Sequence, residues 1–277
     1  MKQVNTAVRS AAPPCWSDSP AQRAFAHRAG RFEVRLAQSA DEIRQAQQLR
    51  YHALLKDLPS HSKLDADDLD EIAAHVVVFE DQPEGEPRLV GNLRLVGTDQ
   101  LLPNQLLYTE QSFHLDALRK QRGKLLELSR FCIAEGARSG TVLMLIWNYT
   151  IRYIMEHQYK TMVGCASFAG TNIQDHREVL TYLYQNNLAP ENLQPQPTDQ
   201  VQSIHLQQFV SMDQTAGDWQ IAKKSVPTLL RGYLKMGAKI SDQAIIDPVF
   251  NTTFVCIYVD AKDMVKTNPR LQNQRTY

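Results

Sequence analysis

The sequence predicts an α/β domain on a mixed central sheet, antiparallel in its first half and completed by one parallel crossover. Three observations carry this. The β-branched runs His75–Glu80 and Arg88–Val96 flank the turn sequence DQPEGEP and read as a hairpin. Leu125–Ile133, Val142–His157 and Lys160–Phe168 read as strand, helix and strand, the order of a parallel crossover. Thr253–Val259 (TFVCIYV) supplies a last apolar strand.

The other elements follow from local chemistry. Residues 1–30 are rich in Pro, Ser and Ala and read as a poorly ordered leader; they lack the apolar stretch of a secretory signal. Arg31–Leu36 alternates as a first strand. Ser39 and Glu42 have capping-box spacing, and Ile43, Ala46, Leu49, Ala53 and Leu54 share one face of a helix ending before Pro59. LDADDLD (64–70) reads as a loop too charged for a core. A short helix is expected over Gln111–Arg119 and another over Ile173–Asn187. The Pro- and Gln-rich 188–202 reads as a surface connection, His205–Val210 as a strand, and Val226–Met236 as a helix with Gly237 at its C-terminal cap. Residues 31–260 are expected to form one domain, with 173–222 as an insertion and 261–277 as a tail.

Composition narrows the classes. The 277 residues, 43% hydrophobic, give room for one sizeable core. Thirty basic residues balance thirty acidic ones, and no zinc-finger spacing is present, which argues against nucleic acid. Cys15, Cys132, Cys165 and Cys256 form no CxxC pair and read as small buried hydrophobes in a reducing compartment. No run is long enough to span a bilayer, so the expected location is the cytoplasm, with membrane contact restricted to the periphery of the inner face.

The chemistry concentrates at 127–142. Glu127 and Arg130 lie on an apolar strand, where an unpaired charge is costly, so each needs a partner or a task. Strand alternation puts residues three apart on opposite faces, which disfavours a direct pair. The following loop opens onto a helix start, whose free N–H groups suit an anion. A strand that splits open there would admit an acyl-thioester phosphopantetheine arm. Glu127 is then a candidate general base, and His75, with an ordinary pKa near 6.5, a second one. Asp65, Asp67, Asp68 and Asp70 lack the glycine and closing glutamate of a calcium loop, so no metal is expected. No Ser–His–Asp or Cys–His arrangement with a nucleophile elbow appears, which argues against a covalent acyl-enzyme.

The element order resembles the GNAT acyltransferase fold. Within it, LRYHALL (49–55), DADDLDEIAAHVVV (65–78), GNLRL (91–95), ELSRFCI (127–133), GCASF (164–168) and LLRGYLKMGAKI (229–240) resemble the ornithine N-acyltransferase family, over about residues 31–260. Acyl-homoserine-lactone synthases share part of this pattern, at Arg50, Asp67, Asp70, Arg94, Glu127 and Arg130; the chain departs from them after residue 164. EGARSG (135–140) lacks the Q/R-x-x-G-x-G/A pattern of acetyl-CoA-using relatives, which favours acyl carrier protein as donor.

The resemblance implies transfer of a (3-hydroxy)fatty acyl group from acyl carrier protein to the α-amine of L-ornithine, the first step of ornithine lipid biosynthesis. It needs no cofactor beyond the phosphopantetheine carried by the donor. Under it, Glu127, His75 and Arg130 are the catalytic candidates. Arg50, Asp65, Asp67, Asp70, Arg94 and Ser129 are the acceptor-binding candidates. Phe131, Cys132, Ile133, Arg138, Ser139, Gly140, Thr141, Val142, Trp147, Ser167 and Phe168 are the acyl and pantetheine wall. The basic run Arg119, Lys120, Arg122 and Lys124 is the docking candidate for an acidic carrier protein. The rival expectations are an acyl-homoserine-lactone synthase, an N-acyl synthase for another amino acid and, from a different class, a non-catalytic lipid-binding protein. Against the last, no amphipathic segment with a basic face stands out.

Overall fold

Val76, Val77 and Val78 are all fully buried, so their strand is covered on both faces. The computed structural model, which describes residues 26–55, 63–210 and 216–267, shows what covers it. Nine strands form one sheet in the order β1-β2-β3-β4-β6-β7-β11-β10-β9. They are β1 (His27–Ala29), β2 (Phe32–Leu36), β3 (Ala74–Glu80), β4 (Arg88–Gly97), β6 (Leu125–Ile133), β7 (Thr161–Ala169), β9 (Ser203–His205), β10 (Lys239–Asp247) and β11 (Thr252–Asp260). A two-residue pair, β5 (Phe113–His114) with β8 (Gln196–Pro197), lies apart.

Helix α1 (Ala40–Arg50) packs on one face, where Ala46 meets Val77 and Phe79. Helix α3 (Gly140–Glu156) packs on the other, burying Val142, Leu145 and Ile146 against Val76, Val78 and Val90. Each such side chain contributes about 1.5–3 kcal/mol when fully buried. Gly91 lets α3 sit close, because a Cβ there would lie 3.2 Å from Val142 Cγ1. Helices α4 (Arg177–Asn187), α5 (Ala216–Ser225) and α6 (Thr228–Lys235) extend the α3 side. Helix α2 (Asp116–Arg122) lies on the α1 side, and α7 (Ala261–Thr267) follows β11.

Half of the expected capping box forms: Ser39 Oγ accepts from Glu42 N at 3.2 Å, whereas the Glu42 carboxylate accepts from Gln38 N at 2.7 Å rather than from the Ser39 N–H. Ser139 caps α3, its side chain accepting from Val142 N.

One feature of the sheet makes the site. Every strand pairing in it is antiparallel except β6–β7, whose partners are Leu125↔Thr161, Leu126↔Met162 and Glu127↔Val163. Beyond these, β6 stays with β4 as far as Ile133 and β7 stays with β11 as far as Ala169, so the two strands part. Gly164 marks the apex: a Cβ there would lie 2.6 Å from the Leu128 carbonyl oxygen.

Several expectations need correction. The acidic run is not excluded from the interior: Asp65 and Asp70 are each only 6% exposed, and Asp68–Glu71 forms a 3-10 turn capped by Asp67. Phe113–His114 pairs with β8, so the short helix starts later, at Asp116. Strand β9 ends at His205, and Leu206–Phe209 is a 3-10 turn that buries Leu206 and Phe209. Strand β10 was not anticipated, because KISDQAIID interrupts its apolar alternation at a bulge. Residues 1–25 of the expected leader lie outside the described residues, whereas His27–Ala29 pairs with β2. Pro59, the expected helix stop, also lies outside them; α1 passes at Arg50 into a π turn, Tyr51–Leu55.

Candidate active site

Strand β6 carries one extra residue. Ser129 pairs with Arg94 and Cys132 with Asn92, so three steps on β6 match two on β4. Arg130 takes the left-handed conformation (φ +56°), and Asn92 Nδ2 donates to its carbonyl oxygen at 2.9 Å. Such a bulge re-aims a side chain. It turns Arg130 onto the face of Glu127, Ser129 and Arg94, against strict alternation.

There Arg130 joins a buried charge cluster. Its Nε lies 2.8 Å from Asp65 Oδ2 and its Nη2 3.3 Å from Asp67 Oδ2. Arg50, fully buried at the end of α1, donates from Nε to Asp65 Oδ2 at 3.0 Å and from Nη1 and Nη2 to Asp70 at 2.7 and 3.2 Å. Arg94 donates from Nε to Ser129 Oγ at 3.1 Å and from Nη1 to Asp70 Oδ1 at 3.0 Å, and it also pairs with Asp67. Burial alone would raise the Asp70 pKa. The Arg50 hydrogen bonds and the nearby guanidinium charges overcome it, holding the carboxyl well below its ordinary value. Three arginines thus neutralise three aspartates. The aspartates expected to recognise an amine are committed to internal partners; of the three, Asp67 is the most exposed, its side chain 31% accessible.

Neither expected base reaches open space. Glu127 is completely buried, its two carboxylate oxygens accepting from Thr109 N at 2.6 Å and Tyr108 N at 3.1 Å. Burial raises its pKa, and the hydrogen bonds from Thr109 oppose the shift. Its visible task is to anchor the 108–109 backbone. His75, 2% exposed, contacts the Asp70 carbonyl through Nε2 at 3.1 Å, and burial lowers its pKa. Glu127 and Arg130 form no pair.

The parted strands enclose a cavity of about 280 Å³. The polar groups gather on the α1 side, Tyr108, Ser129, Arg130, Cys165, Ser167 and Asp247, beside Leu54 and Phe254. On the α3 side it is apolar, with Leu128, Phe131, Ala166, Leu229, Leu230 and Tyr233. Arg130 lies over the Tyr108 ring at 4.3 Å from its centroid, a cation–π contact that fixes both. The Cys165 thiol is pushed up to about 12 by burial and by the neighbouring Glu127 carboxylate, so it holds no thiolate at neutral pH.

Of the expected wall, Ser129, Phe131 and Ser167 line this cavity. Cys132, Val142 and Phe168 do not; each is buried in the protein core. Trp147 packs edge-on against Tyr233, with centroids 4.7 Å apart, and so supports the wall from behind. Ile133 is partly buried against the core, while Arg138, Ser139 and Gly140 are exposed and Thr141 partly so, at the start of α3 beyond the open end of the gap. The expected docking run is largely self-neutralised: Arg119 pairs with Glu110, Arg122 with Asp260 and Lys124 with Asp99, leaving Lys120 exposed. It precedes Leu125, the closed end of the β6–β7 pair, about 25 Å along the strand from Ile133. Sequence reasoning missed Tyr108, Leu229, Leu230, Tyr233 and Asp247. The α6 residues lay inside a quoted motif, whereas Tyr108 is a lone aromatic in a loop.

Known proteins agree with this architecture. Residues 49–148 match the acetyltransferase (GNAT) domain model. Over 256 residues, covering 88% of this chain and 95% of its relative, the sequence is 30% identical to an L-ornithine N(alpha)-acyltransferase of Rhodobacter capsulatus. The chain belongs to the L-ornithine N(alpha)-acyltransferase family. A second member, from Brucella abortus, is 32% identical over 83% of this chain and 84% of its own. Among solved structures, an N-acyl amino acid synthase from uncultured soil microbes aligns with a TM-score of 0.43 and 11% identity, covering 88% of this chain and 98% of the other. As a member of this acyltransferase family, the protein has a GNAT fold.

Proposed function

We propose that this protein transfers a long (3-hydroxy)acyl group from acyl carrier protein to the α-amine of L-ornithine, the first step of ornithine lipid biosynthesis. The observation that carries the reading is the gap beyond Glu127 and Val163, with its polar groups gathered on one side and an apolar wall on the other. An acyl chain with its tethering arm matches that polarity.

The arm enters at the open end, where Arg138 and the N-terminus of α3 meet its phosphate. The acyl chain runs along Phe131, Leu229, Leu230 and Tyr233. The β6 backbone facing β7 has no ladder partner past Glu127, so N–H groups in the 131–133 stretch can polarise the thioester carbonyl. Arg130 receives the acceptor carboxylate. The neutral α-amine attacks the carbonyl carbon, a C–N bond forms as the C–S bond breaks, and the proton lost by nitrogen is taken up by the departing thiolate through water. Cys165, unionised, forms no acyl-enzyme. Carrier-protein docking falls at the open end rather than at the Arg119–Lys124 run. Among the described residues no helix is long and apolar enough to cross a membrane, so contact with the cytoplasmic face of the inner membrane is peripheral in this reading.

Free-thiol release from acyl carrier protein thioester tests the proposal, with ornithine, other amino acids and S-adenosylmethionine offered in turn. Release dependent on ornithine supports it. Equal release without ornithine overturns it, and release with S-adenosylmethionine accompanied by a lactone product assigns the rival synthase chemistry.

A further inference from the structure

Among the described residues, the cavity wall holds one cation, Arg130, and one carboxylate, Asp247. Asp247 ends β10 and opposes Thr252 across the turn into β11. Its Oδ1 accepts from the backbone N–H groups of Val249 and Phe250 at 2.9 and 3.0 Å, which locks the side chain at the turn. Oδ2 has no hydrogen bond among the described residues. Asp247 has no cationic partner there either, unlike Asp65, Asp67 and Asp70.

The charge balance of the pocket follows. Arg130 belongs to a cluster in which Arg50, Arg94 and Arg130 offset Asp65, Asp67 and Asp70. Asp247, half-buried at the cavity wall, keeps a negative charge with no cationic partner among the described residues, and so offers a counter-charge to a cation on the ligand. Tyr108, under the Arg130 guanidinium, lines the same cavity as Asp247. An amino acid held by its carboxylate at Arg130, with its α-amine at the parted strands, extends its side chain past Tyr108.

Resting on the acyl-transfer reading above, we infer that Asp247 is the specificity residue that reads a side-chain ammonium on the acceptor. In this role Asp247 discriminates ornithine from an analogue that lacks the side-chain amine. Removing a hydrogen bond to a charged group costs on the order of 10- to 100-fold in rate or affinity.

The experiment measures kcat/KM for ornithine and for norvaline, which is ornithine without its δ-amine, in the wild type and in Asp247→Asn. Asparagine keeps the Oδ1 acceptor that the turn needs, so folding is preserved, and circular dichroism checks it. The expected result is a wild-type preference for ornithine that falls at least tenfold, toward unity, in the variant. Asp247→Glu, which restores the charge, recovers part of the preference. An unchanged ratio in Asp247→Asn, with or without an overall rate loss, overturns the inference and leaves acyl transfer standing. A wild type that acylates neither amino acid overturns both.

Discussion

Arg50 grips Asp70 with both terminal nitrogens, Nη1 to Oδ1 at 2.7 Å and Nη2 to Oδ2 at 3.2 Å, and both side chains are buried. This bidentate pair ties the end of α1 to the acidic turn. Through Arg94 and Arg130 it reaches the β6 bulge that forms one wall of the cavity. The cluster is thus structural support for the site, and its loss should be felt first in stability.

Asp70→Asn should destabilise the protein by about 3–5 kcal/mol at pH 7, the usual cost of removing one partner from a buried ion pair. The native Asp70 pKa lies below its unfolded value. Its contribution is therefore full above about pH 4, the ordinary carboxylate range, and is lost as pH falls through the native value. Urea unfolding should show a wide gap between wild type and variant at pH 7 that narrows near pH 3. A gap independent of pH would contradict the pairing.

Glu127→Gln should lower thermal stability and turnover without moving the acid limb of the pH–rate profile. A glutamine offers one acceptor where Tyr108 N and Thr109 N each need one, and an unsatisfied buried N–H costs about 1–3 kcal/mol. A displaced acid limb would show instead that Glu127 takes the proton.

Gly164→Ala would place a methyl group against the Leu128 carbonyl, backbone that has little room to yield. The expected loss is about 1–3 kcal/mol, with a raised KM for the acyl donor and a smaller effect on ornithine. A wild-type donor KM would mean that the apex does not set the gap.

Leu229→Trp, on the apolar wall, should shorten the preferred acyl chain by filling part of the cavity. Competition between carrier proteins loaded with long and medium chains reads this directly. An unchanged chain-length profile would place the acyl group elsewhere.

The sheet was legible wherever one residue alternation or β-branched run decided burial, as in β3, β4, β6 and β7. The parting of β6 and β7 was expected with the resemblance to the GNAT fold, since a strand–helix–strand order alone is equally compatible with a closed parallel pair. The site was less legible. Glu127 and His75 have the right chemistry, but nothing local in the sequence says that the backbone of Tyr108 and Thr109, nineteen and eighteen positions upstream of Glu127, closes over the carboxylate. The bulge at Arg130 depends on a two-strand register and breaks the alternation from which its face was reasoned. The acidic run looked like solvated surface because its three guanidinium partners come from α1, β4 and β6, far apart in the chain. Asp247 sits in a turn whose approach to β6 only the folded sheet creates.

Mass spectrometry of the product formed from purified protein, acyl carrier protein thioester and ornithine labelled with ¹⁵N at the α-position decides whether the α-amine is the acceptor. The expected product is an N-acyl-ornithine whose fragmentation places the acyl group on the labelled nitrogen. Acylation at the unlabelled δ-nitrogen, or no acyl-ornithine at all, would contradict it.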